Sequence, residues 1–423
     1  VTRARTLAAV AAFALCSACG AATATRHAGP DTGPLVLGAV YPTGGAQGEG
    51  GAEEWHGVQL ATELVNSQGG VGGRTVELRL LDVERGEDAP AAMRRLKEGG
   101  ADLVLGSYGS TISAPASVAA AEAHQLFWET GAVGETVPGA AAGRTFFRLP
   151  PAGQTLGSEA VTFVHTEVAP RLHVTRPLRF SVVAVNDVYG AAVAGGATAE
   201  VARSGQVLAG LHRYDPRTFD PRALVREIKR DKPDVLFVTA YLDDGIAIRK
   251  ATVAAHLPLL ANIGTSSSYC MEDFGEELGT DAVGLFASDK PDAHQVNVAA
   301  LTPDARAALA WAQPRYRARW GDDMTAAALT GFSSTWALLH HVLPAARSAS
   351  VDDVAAAALR THLPRGSLPN GSGLDLAPYG AADAGTNRAA ASVVWEWVGV
   401  EQRAVVWPAA FANHPVALFG RHA

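Results

Sequence analysis

The feature that most constrains the fold is a repeated alternation of short apolar runs with helical patterns. Residues 35–41 (LVLGAVY) have the length and composition of a buried parallel strand. Past a glycine-rich loop over 42–51, Trp55, Val58, Ala61 and Leu64/Val65 recur at helical spacing. They predict a helix over 52–66 that Gly69 and Gly70 stop. A strand over 75–82, a helix over 88–97 and a strand over 102–105 follow. Connections of a few residues between strand and helix are the pattern of a doubly wound parallel α/β sheet. The pattern restarts after residue 150. Strands over 178–185, 206–213, 234–239 and 259–263 alternate with helices over 191–203, 221–230 and 244–255. Asp220 before Pro221 marks a helix start, with Leu224, Val225 and Ile228 facing inward. Two such units in tandem predict two lobes, each with its own sheet, and a cleft between them that would hold a ligand. Helical patterns over 303–319 and 324–346 read as a return to the first lobe, and 392–398 with 402–407 as a closing hairpin.

Residues 101–133 (ADLVLGSYGSTISAPASVAAAEAHQLFWETGAV) contain the candidate binding seat. They read as a strand over 102–105, a small-polar loop over 106–113, an Ala-rich helix over 114–125 and a strand over 126–128. Ser113 can cap that helix, with Pro115 in its first turn, where a missing N–H is harmless. The loop then presents the hydroxyls of Ser107, Ser110 and Thr111 beside free N–H groups at a helix N-terminus. A carboxylate or similar oxyanion suits that place, at the carboxyl end of a strand. A plain capping loop is the alternative.

Composition narrows the function. The chain has 423 residues, 48% hydrophobic and 18% charged, as expected of a soluble α/β protein of two or three domains. A formal net charge of −7 and the lack of a basic run argue against nucleic acid. The 42–51 loop (PTGGAQGEGG) has neither the GxGxxG register nor a following GK[ST], so dinucleotide and P-loop readings fail. A hydrolase would need a nucleophile with its base, yet a helix separates Ser110 from His124 and no GxSxG elbow occurs. His340 and His341 are adjacent, point to different faces of one helix and cannot chelate as i,i+4 ligands would. No enzyme, cofactor or metal is therefore expected. Cys270 reads as a buried structural thiol.

The N-terminus reads as targeting. Arg3 and Arg5 precede a short apolar run over 7–15 (LAAVAAFAL), a signal peptide too short to span a bilayer. Ala18-Cys19-Gly20 resembles the end of a bacterial lipobox, predicting a signal peptide over 1–19 and a lipid on Cys19. Cys16 stands where that pattern prefers an aliphatic residue, so cleavage before Cys16 and an ordinary secretory signal both stay open. Residues 20–34 read as a flexible tether to an extracytoplasmic body anchored to the cell membrane.

An ordered set of motifs spans about residues 35–397. It comprises the Pro42-Thr-Gly44 loop, Trp55-His56-Gly57, Asn66-x-x-Gly69-Gly70-Val71-x-Gly73-Arg74, a strand ending in Asp82, DLVLGSxGST over 102–111 and Pro115-Ala-Ser117. This set resembles the leucine/isoleucine/valine-binding protein family, the type I periplasmic solute receptors of ABC importers. The resemblance implies a Venus-flytrap fold crossed three times, near 149–153, 286–290 and 362–371. Lobe 1 would take 35–150 and 288–365, and lobe 2 would take 151–287 and 366–423. It also implies a monomer that traps a solute by hinge closure and presents it to the permease and ATPase subunits of an importer.

Site residues follow from the same resemblance. Ser110 and Thr111 match the family's serine that holds the ligand carboxylate, and Tyr189 and Tyr241 match tyrosines that contact ligand. The family's threonine for an α-ammonium falls at Val133, beside Gly131 and Ala132. Its carboxylate falls within 265–268, at Ser266, where no acid stands; Glu129, Asp187, Asp243 and Asp244 are candidates to replace it. The family's first-loop aromatic wall falls near Gly50, which implies a roomier pocket, with Trp128 either an alternative wall or core. Amino acids lead as ligands, with amides, urea-like solutes and aromatic acids as rivals and a signalling receptor as the alternative role. The loop-rich stretch over 369–387 has no assigned function.

Overall fold

A computed structural model describes residues 33–134, 142–294 and 296–418; the signal peptide, Cys16, Cys19 and nearly all of the tether lie outside the described residues. Lobe 1 carries five strands, β1 Leu35–Tyr41, β2 Val76–Asp82, β3 Leu103–Gly106, β4 Leu126–Glu129 and β5 Phe146–Arg148. They form an all-parallel sheet in the order β2-β1-β3-β4-β5. Successive residues of these strands enter different cores. Leu103, Leu105, Leu126 and Trp128 pack with helix α1 (Gly48–Ser67) and the helix Ala326–Trp336. Val104 and Phe127 pack with Met93, Leu96, Ile112 and Ala116 of helices α2 (Ala89–Glu98) and α3 (Ser110–Glu122). Burial on both faces is why β1, β3 and β4 read as apolar runs.

α1 and the helix Ala326–Trp336 meet backbone to backbone. A Cβ on Gly57 would lie 1.9 Å from the Ala328 carbonyl oxygen, and one on Gly331 would lie 2.2 Å from that of Glu54. One glycine from each helix therefore sets their spacing.

Lobe 2 has seven strands, β6 Arg179–Val185, β7 Val207–Tyr214, β8 Val235–Thr239, β9 Ala261–Thr265, β10 Phe286–Asp289, β11 Val393–Gly399 and β12 Gln402–Trp407. Their order is β12-β11-β10-β9-β8-β6-β7, parallel from β7 to β10 and antiparallel from β10 to β12. Helix α4 (Gly153–Phe163) and the helix Val188–Arg203 pack together in its core. The helix Pro221–Asp231 starts as its sequence predicts, with the Asp220 carboxylate accepting the Arg222 N–H at 2.9 Å.

Two expectations need correction. α3 begins at Ser110 rather than 114, so Ser113 lies inside the helix and Pro115 is its sixth residue. The Ser113 hydroxyl is no cap because it is held elsewhere, by Ser107 and Glu129. The second correction concerns the third crossing. Residues from 366 onward do not enter lobe 2 directly, since Leu368, Leu374 and Leu376 are buried in the lobe 1 core. This loop instead extends the edge of β5. Arg148 N–H donates to the Gly385 carbonyl at 2.7 Å, and Asn387 N–H donates to the Arg148 carbonyl at 3.0 Å. The buried Asn387 amide donates to the carbonyls of Leu149 and Gly373 at 3.1 and 3.0 Å. Its oxygen accepts the N–H groups of Asp375 and Ala389 at 2.9 and 3.1 Å. Leu149 begins the first crossing, so one side chain ties that crossing to the loop. The chain passes to lobe 2 only near Ala391, which is buried in the lobe 2 core.

Candidate ligand site between the lobes

Residues just past the carboxyl ends of β3, β4, β6, β8, β9 and β10 line one shared cavity, as strand-end sites in open α/β sheets do. Of the residues the sequence singles out, Ser110, Gly131, Val133, Tyr189, Tyr241 and Ser266 border it; Tyr108, Ser267 and Lys290 join them. Its volume is that of about one water molecule. Ser110 is the first residue of α3. Its buried Oγ accepts the Gly134 N–H at 2.9 Å, which frees its own proton to donate to an acceptor in the cavity. Gly109, the residue before α3, also lines the cavity, so the positive end of that helix borders the same space.

Lobe 2 contributes two phenols. Tyr189 shares a hydrogen bond of 2.8 Å with Thr265 Oγ1, and burial pushes its hydroxyl up to about 12. Tyr241 donates to Asp187 at 2.8 Å, and the two rings lie 5.6 Å apart. Asp187 also caps the helix Val188–Arg203 by accepting the Gly190 N–H at 2.8 Å. Asp244 accepts from Tyr214 at 3.1 Å, and Asp243 is exposed in the first turn of the helix Leu242–Ala254.

The remaining candidates lie behind the cavity wall. Glu129 is fully buried: Oε1 accepts the N–H groups of Gly131 and Ala132 at 3.1 and 2.9 Å, and Oε2 accepts the Ser113 hydroxyl. With both oxygens engaged it is not placed to receive a solute ammonium; it braces the loop that carries Gly131 and Val133. Burial pushes its carboxyl up to about 8. Ala132 N–H also reaches the Ser107 carbonyl at 2.9 Å, and the Ser107 hydroxyl turns inward to the Gly109 carbonyl at 3.0 Å. Thr111 Oγ1 accepts from Gln47 at 2.9 Å. Trp128 is core, its indole N–H donating to the Ser334 carbonyl at 2.9 Å.

Tyr108 and Lys290, which border the cavity, were not singled out from the sequence. A Cβ on Gly50 would lie 2.3 Å from Cζ of Tyr108, so the Tyr108 ring fills the place of the missing first-loop aromatic. The roomier pocket is therefore not there. The Tyr108 hydroxyl donates across the cleft to Ser267 Oγ at 3.4 Å. Lys290, on the second crossing and 4% exposed, donates to the Gly131 carbonyl at 3.4 Å and stands 3.8 Å from Asp289 Oδ1. The available signals were an aromatic set among Ser and Gly at a strand end, and an Asp-Lys pair closing an apolar strand. Beneath Gly131 lies Glu54 of α1, which accepts from Thr130 at 2.6 Å; burial pushes its carboxyl up to about 7, against the pull of Lys290.

Among the described residues, no group of three or more His, Cys, Asp or Glu side chains could hold a metal ion. Residues 34–392 match the family described as periplasmic binding protein. A Leu/Ile/Val-binding protein homolog 8 of Brucella abortus is 27% identical over 345 residues, 80% of this chain and 83% of that protein. Among solved structures, a leucine-binding protein of Thermotoga maritima superimposes with a TM-score of 0.71 at 17% identity, covering 88% of this chain and 97% of its own. A solute-binding protein of R. palustris in complex with benzoate gives a TM-score of 0.71 at 17% identity, covering 91% and 99%. These likenesses show the two-lobed Venus-flytrap fold.

Proposed function

We propose that the chain, a member of the periplasmic binding protein family, serves as the extracytoplasmic, non-catalytic solute-binding component of an ABC importer, and that its solute is a small carboxylate-bearing molecule, an amino acid or a related carboxylate, with amides as rivals. The observation that carries this reading is Ser110 at the head of α3, its oxygen fixed by Gly134 and its proton free to donate. Backbone N–H groups at the helix N-terminus and the Lys290 ammonium add to the attraction for an anion. The relatives named for leucine, isoleucine and valine, and the benzoate complex, involve carboxylates too. Closure of the lobes about the three crossings would trap the solute, and the closed form would dock on the permease with its ATPase. A lipid on Cys19 would hold the receptor at the membrane, and the receptor would work as a monomer.

The test is a thermal-shift screen of amino acids, amides, urea analogues and aromatic acids on the full-length protein, because a true solute raises the melting point by mass action. With a carboxylate in hand, Ser110→Ala is expected to weaken binding by roughly 1.5–3 kcal/mol, the contribution of one hydrogen bond to a charged group. Unchanged affinity by titration calorimetry would refute the assignment of Ser110.

A further inference from the structure

A second chamber adjoins the seat. It shares Tyr108, Ser266 and Lys290 with it and reaches past Glu53 to the exposed Glu49 and Glu272. Its charges do not balance. Arg403 is paired with Glu272 at 2.8 Å and lies over the Trp395 ring at 4.7 Å. Lys290 stands beside Asp289. No described cation lies within 4.0 Å of Glu53 or Glu49, both on α1. Glu53 Oε2 accepts the Thr325 hydroxyl at 2.9 Å. Asp289 is 2% exposed, lines the chamber, and its Oδ1 accepts no hydrogen bond. Glu53 is half-buried and has no described cation beside it, so a cationic guest would supply the charge that its carboxylate lacks.

We infer that the solute carries a cationic nitrogen at a distance from its carboxylate, as a basic amino acid, an ω-amino acid or a guanidino acid does, and that this chamber receives it with Glu53 as the acceptor. The inference rests on the carboxylate reading above and narrows it. The two compartments have opposite character: a helix N-terminus and Ser110 on one side, an excess of carboxyls on the other, with Lys290 bordering both. Protonation follows the same logic. Burial pushes Glu53 up to about 8, with Glu49 and Glu272 adding to the rise and Arg403 opposing it. Asp289, Lys290, Tyr108 and Tyr316 also face this region. At pH 7 Glu53 is therefore mostly protonated, and pairing with a cation expels its proton.

Titration calorimetry of the full-length protein with L-arginine, L-lysine, 4-aminobutyrate, L-leucine and benzoate tests this. The tightest of the first three is expected to bind at least about tenfold more strongly than L-leucine and benzoate, with a proton released, seen as different heats in Tris and phosphate at pH 7. Equal or tighter binding of L-leucine or benzoate overturns the inference and leaves the carboxylate reading standing. Binding of none of the five overturns both. Glu53→Gln should weaken the tightest cationic probe at least about tenfold and abolish the proton release, and wild-type affinity in that variant overturns the role of Glu53. If the Gln variant shows no cooperative melting, the wild-type heats decide in its place, and absence of proton release counts against Glu53.

Discussion

Glu129→Ala removes the brace under the binding loop, and its effect follows from the bonds it breaks. Glu129 accepts three hydrogen bonds in a fully buried place, from Gly131 N–H, Ala132 N–H and the Ser113 hydroxyl. Ala132 N–H keeps the Ser107 carbonyl as a second partner. The Ser113 hydroxyl likewise keeps Ser107 Oγ at 2.8 Å, so the variant strands one donor, the Gly131 N–H. At about 1–3 kcal/mol for a buried donor left without a partner, the expected loss of stability is roughly 1–3 kcal/mol. Because burial holds this carboxyl near 8, it is a neutral acid at pH 7, and its removal relieves no buried charge. Glu129→Gln keeps an oxygen for the two N–H groups and an amide for Ser113, so it should cost less than about 1 kcal/mol at that pH. Urea unfolding of both variants measures the difference, with solute titration as a second readout, since the brace carries Gly131 and Val133 into the cavity. An Ala variant as stable as wild type would refute the bracing role. A Gln variant as damaged as Ala would show that an ionised carboxylate is what the loop requires.

Two other outcomes are expected alongside those for Ser110 and Glu53. Gly57→Ala drives a methyl into the Ala328 carbonyl, a backbone atom that cannot swing aside, and should destabilise lobe 1 by about 3 kcal/mol, read as a lower urea midpoint; wild-type stability would deny the tight helix contact. Glu53, Glu54 and Glu129 sit near 8, 7 and 8 in the folded protein against an ordinary 4.5, so the native state holds more protons than the unfolded chain between those limits. Their contribution is fully present below about pH 4.5 and is lost as pH rises to about 8, so the melting temperature should fall from pH 5.5 to 8.5; a flat or rising profile would contradict the burial of these groups.

The alternation of apolar runs and helices carried the fold, because the central strands of each sheet are buried on both faces and needed no polar alternation. Local chemistry was equally readable where it stayed local, as with Asp220 and Pro221. What escaped depends on partners far along the chain. The α3 start shifted because Glu129, sixteen residues on, claims the Ser113 hydroxyl. Tyr108 could be placed in the cleft only through Gly50, whose missing side chain makes room for its ring. The resemblance pointed toward lobe 2 strand ends for an acid, whereas the candidate acceptor Glu53 lies on α1 of lobe 1. The 366–390 loop has no period to assign it to either lobe, and its place rests on Leu368, Leu374, Leu376 and the edge of β5.

Asn387 has a mechanical consequence. By joining Leu149 to Gly373 and Asp375 through a single amide, it fastens the lobe 1 end of the first crossing to the loop that borders β5. Under the proposed hinge closure that end would stay anchored while the chain beyond it bent, and a swing from a fixed point would bring the tip of α3 toward Tyr189 and Tyr241 in one alignment.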